Sequence, residues 1–392
     1  ANTKIEDIIS LLQYLPLKIN SDNITLDKID LLIRNCIASL ENYKEWNIIN
    51  LSKLERILFP KELSLLEEGF SYYTGSIYDS DLTYTMSLKK LISTQNKIFN
   101  LSLPFYLEEN DEPVWLDRAD TLEVINWIFD EIYKNPQNKI NSDEVLSYYY
   151  ESLINIEKFC HKGSFFPENK NKKIRLEFAP EYTSDKFYPY LFEEHPKEFS
   201  RELIYNVKYL QNQEVDYNLI KQEIDILNII KVFPGYGLQL AYAQKHSSMI
   251  RYLFPNSVNE LGWQFYAVNV LIDEGYGNWD HIYHILQLKE ELNIIVKTII
   301  ENQYYSGEID RNESFKYIKD MTFMKDYNIN LILRDINLNY FSGTIAFIGL
   351  MEYNSLLSEY KLIKKDEYIP SDFYKLILSK GVIPIKELKK LF

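Results

Sequence analysis

Glycine is scarce in this chain, at 12 of 392 residues, and the 2 cysteines and 5 histidines are scarcer still. Few glycines argue against a fold built from tight hairpins and favour long helices. Cys36 and Cys160 cannot frame a disulfide-stapled domain and lack metal-ligand spacing, so two buried thiols are expected. His161, His195, His246, His281 and His284 restrict any histidine-based metal site or general base to a short list. No run reaches the ~20 apolar residues of a membrane span. Positive charge is also in deficit: 43 Lys and Arg against 57 Asp and Glu leave a formal charge of −14. Such a surface repels phosphate backbones and anionic headgroups, which excludes nucleic acid and membranes as expected partners. Unpaired thiols and acidic charge point to the cytoplasm, and export stays open because the sequence begins at Ala1 rather than at a methionine.

What is present describes a folded protein, 46% hydrophobic and 26% charged. Leu122, Ile125, Ile128 and Ile132 share one helical face, as do Leu146, Tyr149, Leu153 and Ile156. Ile285, Leu288, Leu292, Ile295 and Ile299 continue the same spacing through a long segment. Ser52 before Glu55 and Asn141 before Glu144 read as capping boxes. The fold class is mainly α, with at most a small β element around residues 173–190, where Lys173 to Phe178 alternates and stops before Pro180. Two segments read as breaks, Leu107 to Pro113 and His161 to Lys173, and the main boundary is placed near residue 165. This gives an N-terminal lobe, 1–165, and a C-terminal lobe, 166–392.

Tyrosine, at 32 residues, clusters at Tyr148 to Tyr150 and at Tyr304 and Tyr305. Such clusters suit an aromatic groove for a peptide or sugar, but helix packing with surface hydroxyls is the simpler reading. No phosphate loop, dinucleotide fingerprint or Cys-x-x-Cys pair occurs, so no cofactor is expected. His281-x-x-His284 could share a metal but lacks a third ligand, and His246 beside Ser247 and Ser248 does not face them on a helix.

The informative stretch holds Pro234-Gly235-Tyr236-Gly237-Leu238-Gln239, then Leu261-Gly262-Trp263-Gln264-Phe265-Tyr266-Ala267, then Asp273-Glu274-Gly275-Tyr276. Further on come Tyr340-Phe341-Ser342-Gly343, Asp372-Phe373 and Gly381-Val382-Ile383-Pro384. In order and wording these resemble the bacterial "domain of unknown function 885" family, which looks like a branch of the helical zinc metallopeptidases. The resemblance covers about residues 175 to 392 and implies a two-lobed, gluzincin-type architecture. The family's motifs read His-Glu-x-x-Pro-Gly-His-His-Leu-Gln and Glu-Gly-Trp-Ala-Leu-Tyr-Ala-Glu. Imidazoles and a carboxylate there hold a metal, and the Glu beside the first His activates its water.

Carried over position by position, the first His falls on Ile230, the Glu on Lys231, the His pair on Tyr236 and Gly237, and the carboxylate on Leu261. None of these can serve as a zinc ligand or as that base at neutral pH. Glu260 stands one residue from the lost carboxylate, turned by ~100° on a helix. The resemblance therefore implies a metallopeptidase scaffold without a metal site: a pseudoenzyme that binds a peptide or small ligand in the inherited cleft. Tyr236, Gln239, Trp263, Tyr266, Tyr304, Arg334 and Tyr340 are its candidate ligand-binding residues. Trp263 also reads as packing between close helices, whereas Tyr340 could donate to an oxyanion and Arg334 could pair with a carboxylate. Two alternatives stay open. One is metal-free acid–base catalysis by Lys231, Tyr236, Glu260 or Tyr340; the other is an accessory protein acting through its outer helical faces.

Overall fold

Short polar side chains cap the starts of several helices. In the computed structural model, Asp79 accepts from Leu82 N at 2.7 Å ahead of a helix over Ser80–Glu109, and Asn256 accepts from Asn259 N at 3.0 Å ahead of Ser257–Asp273. Asp280 accepts from Ile282 N at 2.9 Å ahead of His281–Ser306. Asp310 and Glu313 form a full capping box at the start of Arg311–Thr322. The box expected at Asn141 is not formed. Its amide donates to the Glu144 side chain at 3.0 Å, and the helix starts only at Val145. The box expected at Ser52 lies outside the described residues, which are 5–6, 8–13, 23–50, 63–76, 78–110, 118–141, 143–167, 173–179, 190–193, 202–207, 220–246, 248 and 250–392.

The chain divides into two compact units, residues 1–60 with 179–186, and residues 61–178 with 187–392. The first contains helix α1 (Asn23–Asn50), with Ile33 and Asn47 buried, Tyr43 stacked on Trp46, and Lys44 paired with Glu6. Cys36 is exposed on this helix, in contrast to the expectation for both thiols, whereas Cys160 is buried.

The second unit is mainly helical. Its longer helices are α2 (Leu63–Thr74), α3 (Ser80–Glu109), α4 (Arg118–Lys134), α5 (Val145–Gly163), α6 (Lys221–Lys231), α7 (Tyr236–Lys245), α8 (Ser257–Asp273), α9 (His281–Ser306), α10 (Arg311–Thr322), α11 (Asp326–Leu338), α12 (Ser342–Lys364) and α13 (Pro370–Leu378). The apolar faces read from the sequence are core faces: Ile125, Ile128 and Ile132 of α4, Tyr149, Leu153 and Ile156 of α5, and Ile285, Leu288, Leu292, Ile295 and Ile299 of α9 are all buried. Residue 165 falls inside this unit, where α5 packs against α6 on its far side. The side chain of Asn228 joins the two helices, donating to Tyr149 O at 3.0 Å and Ser152 Oγ at 2.9 Å.

Strand β1 (Lys173–Phe178) forms where alternation places it. It is an edge of a three-stranded sheet of order β1-β3-β2, in which β3 (Glu202–Val207) pairs parallel with β1 and antiparallel with β2 (Tyr190–Glu193). The central strand lies beyond the expected β region. Leu203, Ile204, Tyr205, Asn206 and Val207 are buried in succession, so β3 has no exposed face to print an alternating pattern.

Helix α9 runs through the core, against α3, α6 and α12, and α8 crosses α12 at a pair of glycines. A Cβ on Gly262 would stand 2.4 Å from the carbonyl carbon of Gly349, and one on Gly349 would stand 2.1 Å from Val258 O. Backbone rather than side chain would have to yield. Gly262→Ala is therefore expected to destabilise the protein by about 1–3 kcal/mol in urea unfolding. Gly69→Ala is the control: its Cβ would meet only Phe341 at 3.6 Å, and better helix propensity should make it neutral or stabilising by about 0.5–1 kcal/mol. Equal effects would refute the close-crossing argument.

Candidate functional site

The motif residues lie where the end of α6, the start of α7 and the first half of α8 converge. A Cβ on Gly235 would fall 2.1 Å from Ile230 O, so only glycine lets the chain turn this tightly from α6 into α7. Trp263 closes the turn from α8. Its side chain is wholly buried, and Nε1 donates to Pro234 O at 2.9 Å and Gly235 O at 3.2 Å. Gln239 is also buried; its amide donates to Asn259 Oδ1 at 2.7 Å, and Asn259 in turn donates to Ile383 O at 2.6 Å and accepts from Tyr353 at 2.8 Å. Tyr266 is stacked on Tyr353 at 5.2 Å. Three of the candidate ligand-binding residues, Gln239, Trp263 and Tyr266, are thus structural members of a buried cluster.

The remaining candidates reach water to different degrees. Tyr236 begins α7 and is half-buried, as are Arg334 on α11 and Tyr304 on α9, whose hydroxyl donates to Asn337 Oδ1 at 3.3 Å. Tyr340 is 36% exposed and sits edge-on to Tyr73 and Tyr305 at 5.9 and 6.0 Å.

Lys231 and Glu260 are brought together, and with them come charges that sequence motifs did not single out. The Lys231 ammonium, at the end of α6, donates to Gln264 Oε1 at 3.3 Å. Burial lowers its pKa; Glu290, Glu260 and Asp335 push it back up, and Lys297 lowers it. Glu260, one turn before Gln264 on α8, has its carboxyl raised by burial against the opposing pull of Lys231. Glu290 on α9 is raised by burial too, with Lys289 and Lys231 opposing. Environment thus favours the neutral form of each of these three groups, while their mutual attraction favours the charged forms.

Further along α9, Lys297 donates to Asp335 and, at 2.7 Å, to Ser342 Oγ. Asp335 is held below the usual carboxylate range: burial raises it, and Lys297 together with bonds from Asn339 and Ser342 outweighs that. One turn on, Glu301 is buried, and it accepts from Gly343 N at 2.9 Å and from Thr344 N and Oγ1 at 2.8 Å each. A carboxylate at the first turn of α12 suits the exposed amides and dipole of a helix start. These bonds, with Tyr305 donating to Ile336 O at 2.7 Å, hold the turn that carries Tyr340 and Phe341, the latter at φ 58°. The sequence signal was charge at 290, 297 and 301, at spacings of seven and four, beside the apolar face of this helix.

The histidine pair does not act together. His281 stacks on Phe105 and His284 on Trp279. His246 Nδ1 accepts from Ser248 N at 2.9 Å, and His195 lies outside the described residues. Among the described residues, no three His, Cys, Asp or Glu side chains come together as a metal ion would need, and no helix is long and apolar enough to cross a membrane.

Residues 67–391 match the family described as bacterial protein of unknown function, DUF885. A candidate lipoprotein of unknown function from Shewanella oneidensis has the same fold, with a TM-score of 0.75 at 18% identity over 97% of this chain and 69% of its own. A candidate lipoprotein from Colwellia psychrerythraea aligns with a TM-score of 0.81 at 13% identity over 97% of this chain and 65% of its own. The chain thus spans about two thirds of the length of either. No curated protein matches it.

The Lys297–Asp335 pair sets an acid limit on stability. A carboxyl held low contributes stability above its unfolded pKa of ~3.9, and that contribution fades as pH falls through the lower folded value. Lys297→Met is expected to cost about 2–4 kcal/mol at pH 7 and to shrink the loss of stability between pH 5 and pH 2, read from urea unfolding across that range. An unchanged pH profile would show that the pair is not coupled to folding.

Proposed function

The chain belongs to the DUF885 family, and we propose that it keeps the cleft of a helical metallopeptidase without the metal, as a binding site for a peptide or small ligand. The observation that carries this reading is the Lys231 ammonium, placed among Glu260, Glu290 and Asp335 at the position where the resembling motif has its general base. Ile230, Tyr236, Gly237 and Leu261 stand at the ligand positions and offer no imidazole or carboxylate. Magnitude supports the choice. Three or four donors together supply the ~10 kcal/mol or more that holds a structural zinc, and Ile230, Gly237 and Leu261 supply none of it. With no imidazole or carboxylate at the motif's ligand positions, the site does not fit the metal as the resembling family holds it.

The site can still bind. A half-buried ammonium is a hydrogen-bond donor for a carbonyl or carboxylate, Tyr340 offers an exposed aromatic face, and half-buried Arg334 is a fork-shaped donor. The buried cluster of Gln239, Trp263, Tyr266 and Tyr353 fixes the turn from α6 into α7 that follows Lys231. A second reading, metal-free acid–base chemistry, is favoured by the opposed tuning of Lys231 and Glu260, one pushed down and the other up.

A thermal-shift screen of short peptides with free carboxylates tests the binding reading. Stabilising peptides are expected, their effect falling about tenfold or more in apparent affinity in Lys231→Met and in Tyr340→Ala, with no peptide consumed. Consumption of a peptide that stops in Lys231→Met would transfer support to the catalytic reading. No stabilisation by any peptide, or stabilisation indifferent to both substitutions, would contradict the proposed site.

A further inference from the structure

Apart from the site proposed at Lys231, the second unit carries an open cavity of about 450 Å3 between the last turn of α3, the last two turns of α4 and the first turn of α9. That volume is within the ~300–1,000 Å3 usual for small-molecule sites. Its walls combine two kinds of side chain. Phe105 and Trp127 supply flat aromatic faces, and Phe105 is braced by His281, stacked on it at 3.9 Å and 20°. Glu108, Glu109 and Glu131 supply carboxylates against one ammonium, Lys134, which is divided between Asp130 at 3.4 Å and Glu131 at 3.7 Å.

We propose that this cavity binds a small organic cation, an alkylammonium or guanidinium compound, against the rings of Phe105 and Trp127 and the carboxylates of Glu108, Glu109 and Glu131 that line it. An aromatic face attracts a weakly hydrated cation through its quadrupole as well as by dispersion. Three carboxylates against one lysine repel an anion, and a neutral apolar guest would strip water from them without compensation. His281 adds no opposing charge near neutral pH, because burial lowers its pKa more than Asp280 raises it. The last turns of α3 and α4 present the negative ends of their dipoles. The opposing positive end of α9 is capped, with Ile282 N already bonded to Asp280. The spacing of Phe105, Glu108 and Glu109 at three and four residues sets them on one face of α3, as the spacing of Trp127, Glu131 and Lys134 does on α4.

Isothermal titration of the full chain with choline, agmatine and 3,3-dimethylbutan-1-ol, the uncharged isostere of choline, tests the assignment. One site per chain is expected for either cation, about tenfold or more tighter than for the alcohol and weakened by salt. The double substitution Glu108→Gln, Glu131→Gln and the separate Trp127→Leu should each weaken the cations about tenfold, in variants whose melting curves show a folded protein. The proposal is overturned if the alcohol matches choline, if neither variant changes the affinity, or if neither cation gives heat up to about 20 mM.

Discussion

A helix buried along nearly its whole length cannot carry charge unless each charge finds a partner inside the protein, and α9 carries several. Lys289 answers Glu223 at 2.8 Å, Glu291 answers Lys90 at 2.6 Å, Lys297 answers Asp335, and Glu301 is satisfied by the amides that open α12. An unpaired charge at any of these positions would cost several kcal/mol, on the order of a domain's entire net stability. The pairs therefore fix which faces of α3, α6, α11 and α12 meet α9, and the surroundings of Lys231 inherit their geometry from that arrangement.

Lys231 belongs to the same system but is the least satisfied member of it. Its one hydrogen bond reaches a neutral amide, Gln264, rather than a carboxylate, and burial works against its charge. Glu260 and Glu290 are raised by their own burial. Groups whose surroundings oppose their charge suit a binding site, because a ligand of opposite charge can supply a further partner. Further along α9, Lys297 and Glu301 are already met by Asp335, Ser342, Gly343 and Thr344.

The sequence made the helices legible and left the partnerships obscure. Ile285, Leu288, Leu292, Ile295 and Ile299 announce α9 because burial on a helix repeats at three and four residues, a local property. The partners of Lys297 and Glu301 come from α11 and α12, 38 to 45 residues away, and no local pattern encodes that. Strand β3 was missed for a related reason: buried on both faces, it has no alternation. Asn141 shows how a capping pattern can be present in the chain yet unused, while the box at Asp310 forms. In the site, Lys231 and Glu260 were found by their place in a resembling motif. The same motif also nominated Gln239, Trp263 and Tyr266, whose resemblance marks a buried wall, and it was silent on Glu290 and Asp335, which lie outside it.

The claim that a lysine has taken over a cleft built for a metal ion is tested most directly by titrating the intact chain with zinc against a chromophoric chelator, while acylation of Lys231 is followed by mass spectrometry. The account expects no site tighter than about micromolar and a Lys231 whose rate of modification is unaffected by zinc. One equivalent bound at nanomolar affinity, with Lys231 protected, would contradict it.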